Sequence, residues 1–203
     1  MSDHTERFDR RVLRYHRCCG RIEDQFHRKQ LRVTDVELVY SSSFLSVCSQ
    51  WESLLQDILY EVVCGEASRR RDNRRYVSFQ RRKYLEDVLL FPSKDYLSIP
   101  NLKRAEELAA LFISRGRPMS AVSESNRTYL EQAVRIRNAI AHESTFALEK
   151  FRSRVPGVSA LPPSKRSPGA FLRHEFRKAP SQRRYELYYA AYRSAAKEIA
   201  RAW

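Results

Sequence analysis

The 203 residues carry 38 lysines and arginines against 24 acidic residues, a formal net charge of +14, with 42% hydrophobic residues and only five glycines. A chain of this length buries a core without disulfides or a structural metal, and its glycine poverty suits packed helices better than a many-turned β-sandwich. Cys18, Cys19, Cys48 and Cys64 include no CxxC pair, and no apolar run approaches the roughly 20 residues that span a bilayer, so neither a zinc or disulfide framework nor a membrane-spanning helix is expected. The polar N-terminus has no secretory pattern, and the expectation is one cytoplasmic domain over residues 1–203 with reduced thiols, no metal and no cofactor.

In chain order, Phe8, Val12, Tyr15, Ile22 and Phe26 recur at helical spacings, predicting a first amphipathic helix over Thr5 to Gln30. Val39, Phe44, Val47, Trp51, Leu54, Ile58 and Val62 predict a longer one from Asp35 to Val63, stopped by Gly65. Ser68–Tyr76 reads SRRRDNRRY, too polar to pack, and is expected as an exposed basic loop. A helix near residues 78–91 follows, limited by Pro92 and Pro100 within an irregular crossover around 66–100. Leu102 to Ser114 is predicted helical and is broken by the GRP turn at 116–118. The next helix, capped by Ser123 or Ser125, runs through Tyr129, Ala133, Ile136 and Ile140. A short helix is expected over Glu149–Val155, a proline- and glycine-rich loop over 156–170, and a closing helix from Ser181 to Trp203. The prediction is an all-α bundle.

The chemistry-bearing segment is EQAVRIRNAIAHES, residues 131–144. Arg137 and His142 are five positions apart, about 140° on an ideal helix, so they converge only where the helix ends or turns, or where two subunits meet. These residue types suit RNA transesterification. Histidine titrates near neutrality and can take the ribose 2′-hydroxyl proton; a guanidinium offers two aligned donors to a phosphate gaining negative charge. Asn138 is placed to hold a phosphate or to orient His142. The bland alternative makes His142 a cation at a helix C-terminus.

Arg137-Asn138-Ala139-Ile140-Ala141-His142 resembles the R-x(4–6)-H signature of the HEPN superfamily, including the polar residue after the arginine. Trp51-Glu52 in SSFLSVCSQWESLLQDIL resembles the first core segment of that family. The resemblance extends over about 35–200, leaving 1–34 as an N-terminal helical extension, and lies nearest the stand-alone RiboL-PSP-type and defence-associated members. It implies an HEPN-like helical bundle that homodimerises around one composite cleft, and a metal-independent endoribonuclease. In that frame Arg137 stabilises the scissile phosphate, His142 transfers protons and Asn138 positions them. Glu52 matches an acidic residue near the cleft of some members, although a buried helix salt bridge explains it equally. The implied products are a 2′,3′-cyclic phosphate and a 5′-hydroxyl. The implied setting is a toxin or defence effector, with a cognate antitoxin or other protein partner. Some family toxins place x-Tyr after the histidine; here Glu143 and Ser144 follow, so that regulatory tyrosine is missing.

The basic surface suits RNA, and Arg69, Arg70, Arg71, Arg74 and Arg75 are the candidate backbone contacts. Such contacts hold RNA without selecting bases. Tyr185, Tyr188, Tyr189 and Tyr192 have the spacing of packing residues or a dimer surface, with base stacking the lesser reading. The alternative to an enzyme is a catalytically silent HEPN module that binds RNA or a protein.

Overall fold

A stretch of 32 residues, Val33–Cys64, contains neither glycine nor proline and forms the longest helix, α2. The computed structural model describes residues 2–65, 68, 73–90, 97–142 and 144–203. Among them are eight α-helices: α1 Ser2–His27, α2, α3 Arg82–Leu89, α4 Leu102–Phe112, α5 Glu124–His142, α6 Thr145–Arg154, α7 Pro168–Arg173 and α8 Arg184–Ala202. They form an all-α bundle with one small antiparallel sheet, β1 Glu175–Lys178 against β2 Ser181–Arg183. No helix of the described residues is long and apolar enough to cross a membrane.

The chain divides into two units. The first gathers residues 1–8, 50–127 and 194–203. Its core includes Phe8 packed at 5.8 Å on Trp51, together with Leu55, Ile58, Leu85, Leu108, Met119 and Ile199. Polar ties close it. Glu198 accepts from Ser123 N and from Asn126 Nδ2, each at 2.9 Å, and the buried Asn73 donates to the Ala202 carbonyl at 2.7 Å. Asn101 caps α4 by accepting from Arg104 N.

The second unit gathers residues 9–49 and 128–193. Tyr40, Phe44, Ile136, Phe151, Phe171 and Leu172 fill its interior, with Phe151 edge-on to Phe171 at 5.5 Å. Gly169 lets α7 sit directly on α2, since a Cβ there would run into the Glu37 carbonyl. Arg193 pairs with Asp9, and Glu23 is buried between Arg173 and Arg183.

Three expectations need correction. The loop predicted over 156–170 ends early: Ser167 accepts from Ala170 N at 3.2 Å and Pro168 sits in the first turn, so a breaker opens α7. The closing helix starts at Arg184, because residues 181–183 pair with β1. The helix near 78–91 is only Arg82–Leu89, and its sole buried residue is Leu85. Gly65 does end α2, its N–H bonding the Glu61 carbonyl at 2.9 Å.

Candidate active site

The helix bearing the Arg–His segment is built on a stripe of small and branched residues. Leu130, Ala133, Ile136 and Ala139 are buried along α5, one every three positions. That stripe drifts, so Ala139 takes the inward place expected for Ile140, which is only half-buried. Arg137 and Asn138 flank Ile136 and Ala139 and are half-buried. Arg137 Nη1 donates to Asn138 Oδ1 at 3.2 Å, so the asparagine amide turns its oxygen to the guanidinium and fixes where the cation lies. The amide therefore acts on Arg137 in this arrangement.

His142 is the last residue of α5 and is exposed. The helix does not break near Ala141, so the two side chains leave the axis about 140° apart within one chain. Glu143 lies outside the described residues. Ser144 accepts from Ala147 N at 3.2 Å and caps α6. Of α6, Ala147 and Phe151 turn inward, while Phe146 is 69% exposed. The Lys150 ammonium lies 5.3 Å from the Phe146 ring centroid.

The other predicted residues are placed as follows. Glu52 is half-buried on α2 and belongs to the first unit, whereas Arg137, Asn138 and His142 belong to the second. Arg69, Arg70 and Arg71 lie outside the described residues. Arg74 is exposed, with its carbonyl accepting from Ser114 N at 2.9 Å. Arg75 donates to the Gly65 carbonyl at 3.0 Å and lies 6.0 Å from the Trp203 ring, a setting that holds the segment down.

Tyr185, Tyr188, Tyr189 and Tyr192 are all buried, which decides for packing over base stacking. Tyr188 donates to Gln132 of α5 at 3.2 Å and packs edge-on against Tyr129 at 6.0 Å, so α8 holds α5 in place. Trp51 is likewise core. No disulfide joins the four cysteines, and burial pushes the Cys19 thiol up to about 12, far from a ready nucleophile. Among the described residues, no group of three or more His, Cys, Asp or Glu side chains is placed to hold a metal ion.

Reading α6 from the sequence misses Phe146. The sequence predicts helix only from Glu149, whereas α6 begins at Thr145, with Ser144 three residues before Ala147 as the capping signal. No family model matches the chain, and no curated protein or solved structure is significantly similar to it.

Proposed function

We propose that the protein is an HEPN-like endoribonuclease that cuts RNA by 2′-hydroxyl transesterification, acting as a homodimer. The observation that carries this reading is a half-buried arginine oriented by Asn138 on the same helix that ends in an exposed histidine. The strongly basic chain supplies the attraction for a polyanion. Because Arg137 and His142 point apart within one chain, the reading uses two copies, with Arg137 and His142 segments from both lining one cleft.

In that cleft His142 of one subunit accepts the 2′-hydroxyl proton as the 2′-oxygen bonds to phosphorus. Arg137 donates to the phosphate oxygens as their charge grows, which is worth several kcal/mol in a water-poor site. The bond to the 5′-oxygen breaks and that oxygen takes up a proton, from the second His142 in a symmetric site. The ends are a 2′,3′-cyclic phosphate and a 5′-hydroxyl. No step requires a metal. The basic segment supplies contacts to the RNA backbone, with the exposed Arg74 and its neighbours Arg69, Arg70 and Arg71 as the candidates. A toxin or defence effector, held by a cognate antitoxin or other protein partner, is the setting that fits such an activity.

A second reading is favoured by the same angular separation: a chain that never brings the two side chains together is a silent HEPN module that binds RNA or protein. The two part on one experiment. Purified protein is incubated with mixed RNA in EDTA and the new termini are analysed. The expected outcome is cleavage leaving cyclic phosphates, reduced at least about 100-fold by Arg137→Ala or His142→Ala. Both variants should keep the wild-type circular dichroism and melting behaviour. Salt-sensitive binding without scission would establish the silent module instead.

A further inference from the structure

The first turn of α6 carries a second feature that the Arg–His pair does not use. Phe146 presents most of its ring to solvent, although Ala147 and Phe151 show that α6 has an inward face available. Its position is not loose: Ser144 caps the helix and sets the first turn, so Phe146 is held by backbone geometry. Lys150, one turn later, brings its ammonium to 5.3 Å from the ring centroid. Arg152 and Arg154 follow in the last turn, against Glu149 as the only acid of α6. An exposed aromatic with a cation beside it, on a basic helix, has the two elements that hold single-stranded nucleic acid: a π-face for a base and charge for its phosphate.

The position matters as much as the composition. Four chain steps separate His142 from Phe146, so their Cα atoms lie no more than about 15 Å apart. A nucleotide next to the one being cut is within reach of such a ring. We propose that Phe146 stacks an unpaired base of a bound RNA strand, with Lys150 holding the adjoining phosphate, so that α6 sets which strand geometry the protein accepts. This rests on the reading of the chain as an RNA-binding protein for its ligand, but not on turnover. Stacking demands an unpaired, splayed base, and the pair therefore selects single strands over duplex.

The test uses the full chain and a fluorescent single-stranded oligonucleotide with 2′-O-methyl groups, which binds but offers no 2′-hydroxyl to attack. Anisotropy is measured for wild type, Phe146→Ala, Phe146→Trp and Lys150→Gln, with the oligomeric state of each followed by sedimentation. Phe146→Ala is expected to weaken binding between about fivefold and a hundredfold. Phe146→Trp should retain it and show fluorescence quenching absent from the wild type. Lys150→Gln should weaken it less and flatten the salt dependence. If wild type cuts unmodified RNA, Phe146→Ala should raise KM and leave kcat nearly unchanged.

Each outcome decides something. A wild type that binds but does not cut, with Phe146→Ala binding poorly, upholds the stacking assignment while removing the nuclease reading. Wild-type affinity in Phe146→Ala overturns the assignment alone. A loss of affinity that coincides with dissociation of the oligomer overturns it in favour of a contact between subunits. A wild type that binds no oligonucleotide overturns both.

Discussion

Arg183 and Arg184 are neighbours in the chain and opposites in setting. Arg183 Nη1 donates to the buried carboxylate of Glu23 at 2.7 Å, and Arg173 joins from the other side at 2.8 Å with its guanidinium over Phe26. Arg184 packs over the Phe171 ring at 4.8 Å, and among the described residues its Nε is sealed from solvent without a hydrogen-bond partner. Arg183 is paired with a carboxylate that it shares with Arg173; Arg184 lies half-buried against an aromatic ring, and burial holds its pKa below the usual arginine value. The difference teaches that a net charge of +14 is not all displayed to solvent. Part of the arginine excess is spent holding the β-hairpin and the start of α8 in place, and only the remainder can meet a polyanion.

The largest effect is expected at Glu23. Glu23→Ala leaves Arg173 and Arg183 without the carboxylate they share in a part-buried site, and a loss of about 2–4 kcal/mol is expected in urea unfolding. Burial by itself would raise the Glu23 carboxyl, but the hydrogen bonds and charges of Arg173 and Arg183 hold it below the ordinary 4.5. A depressed carboxyl pKa contributes stability that is fully present above pH 4.5 and is lost as pH falls through the lowered value. Acid unfolding of the wild type should therefore steepen below pH 4.5, and Glu23→Gln should remove that component.

Arg184→Met sharpens the contrast. Replacing a half-buried cation that meets no carboxylate among the described residues with an apolar chain of similar length should change stability by less than about 1 kcal/mol, or raise it. A loss as large as that of Glu23→Ala would mean that Arg184 has a charged partner after all. The smallest effect is expected at His174. Burial, then the charges of Arg184 and Lys165, lower its pKa from the ordinary 6.5, with Glu175 opposing. The neutral ring is the folded form, so its contribution is intact above pH 6.5 and fades as pH drops. His174→Gln should flatten thermal stability between pH 7 and 5 by a few tenths of a kcal/mol, checked by melting curves across that range.

Much of this fold is legible in sequence because long helices repeat their apolar residues every three or four positions. Phe44, Val47, Trp51, Leu54 and Ile58 announce α2 and are buried in it, and Gly65 ends it as expected. The hairpin escapes, because EFRK is exposed along its length and SQR is three polar residues with Gln182 and Arg183 both half-buried, so neither alternates for a period-two reading to find. α7 escapes because Pro168 and Gly169 look like breakers until Ser167 is seen capping the helix they begin. For the candidate site, sequence spacing states correctly that Arg137 and His142 do not share a helix face. It cannot anticipate that Asn138 turns its oxygen to Arg137, since that depends on a rotamer. Nor does spacing separate Arg75, bonded to the Gly65 carbonyl, from the exposed Arg74 beside it.

The tyrosines of α8 have an optical consequence. Tyr185, Tyr188 and Tyr189 are buried deeply enough that each phenol stays protonated well above the ordinary value of 10. Once the chain unfolds in alkali, all three ionise together, and phenolate absorbs further into the red than phenol. Stability from these groups is present below pH 10 and drains away above it, so each ionised ring pulls the equilibrium further toward the open chain. The core thus carries its own chromophores, and an ultraviolet trace at high pH would report its collapse without any added label.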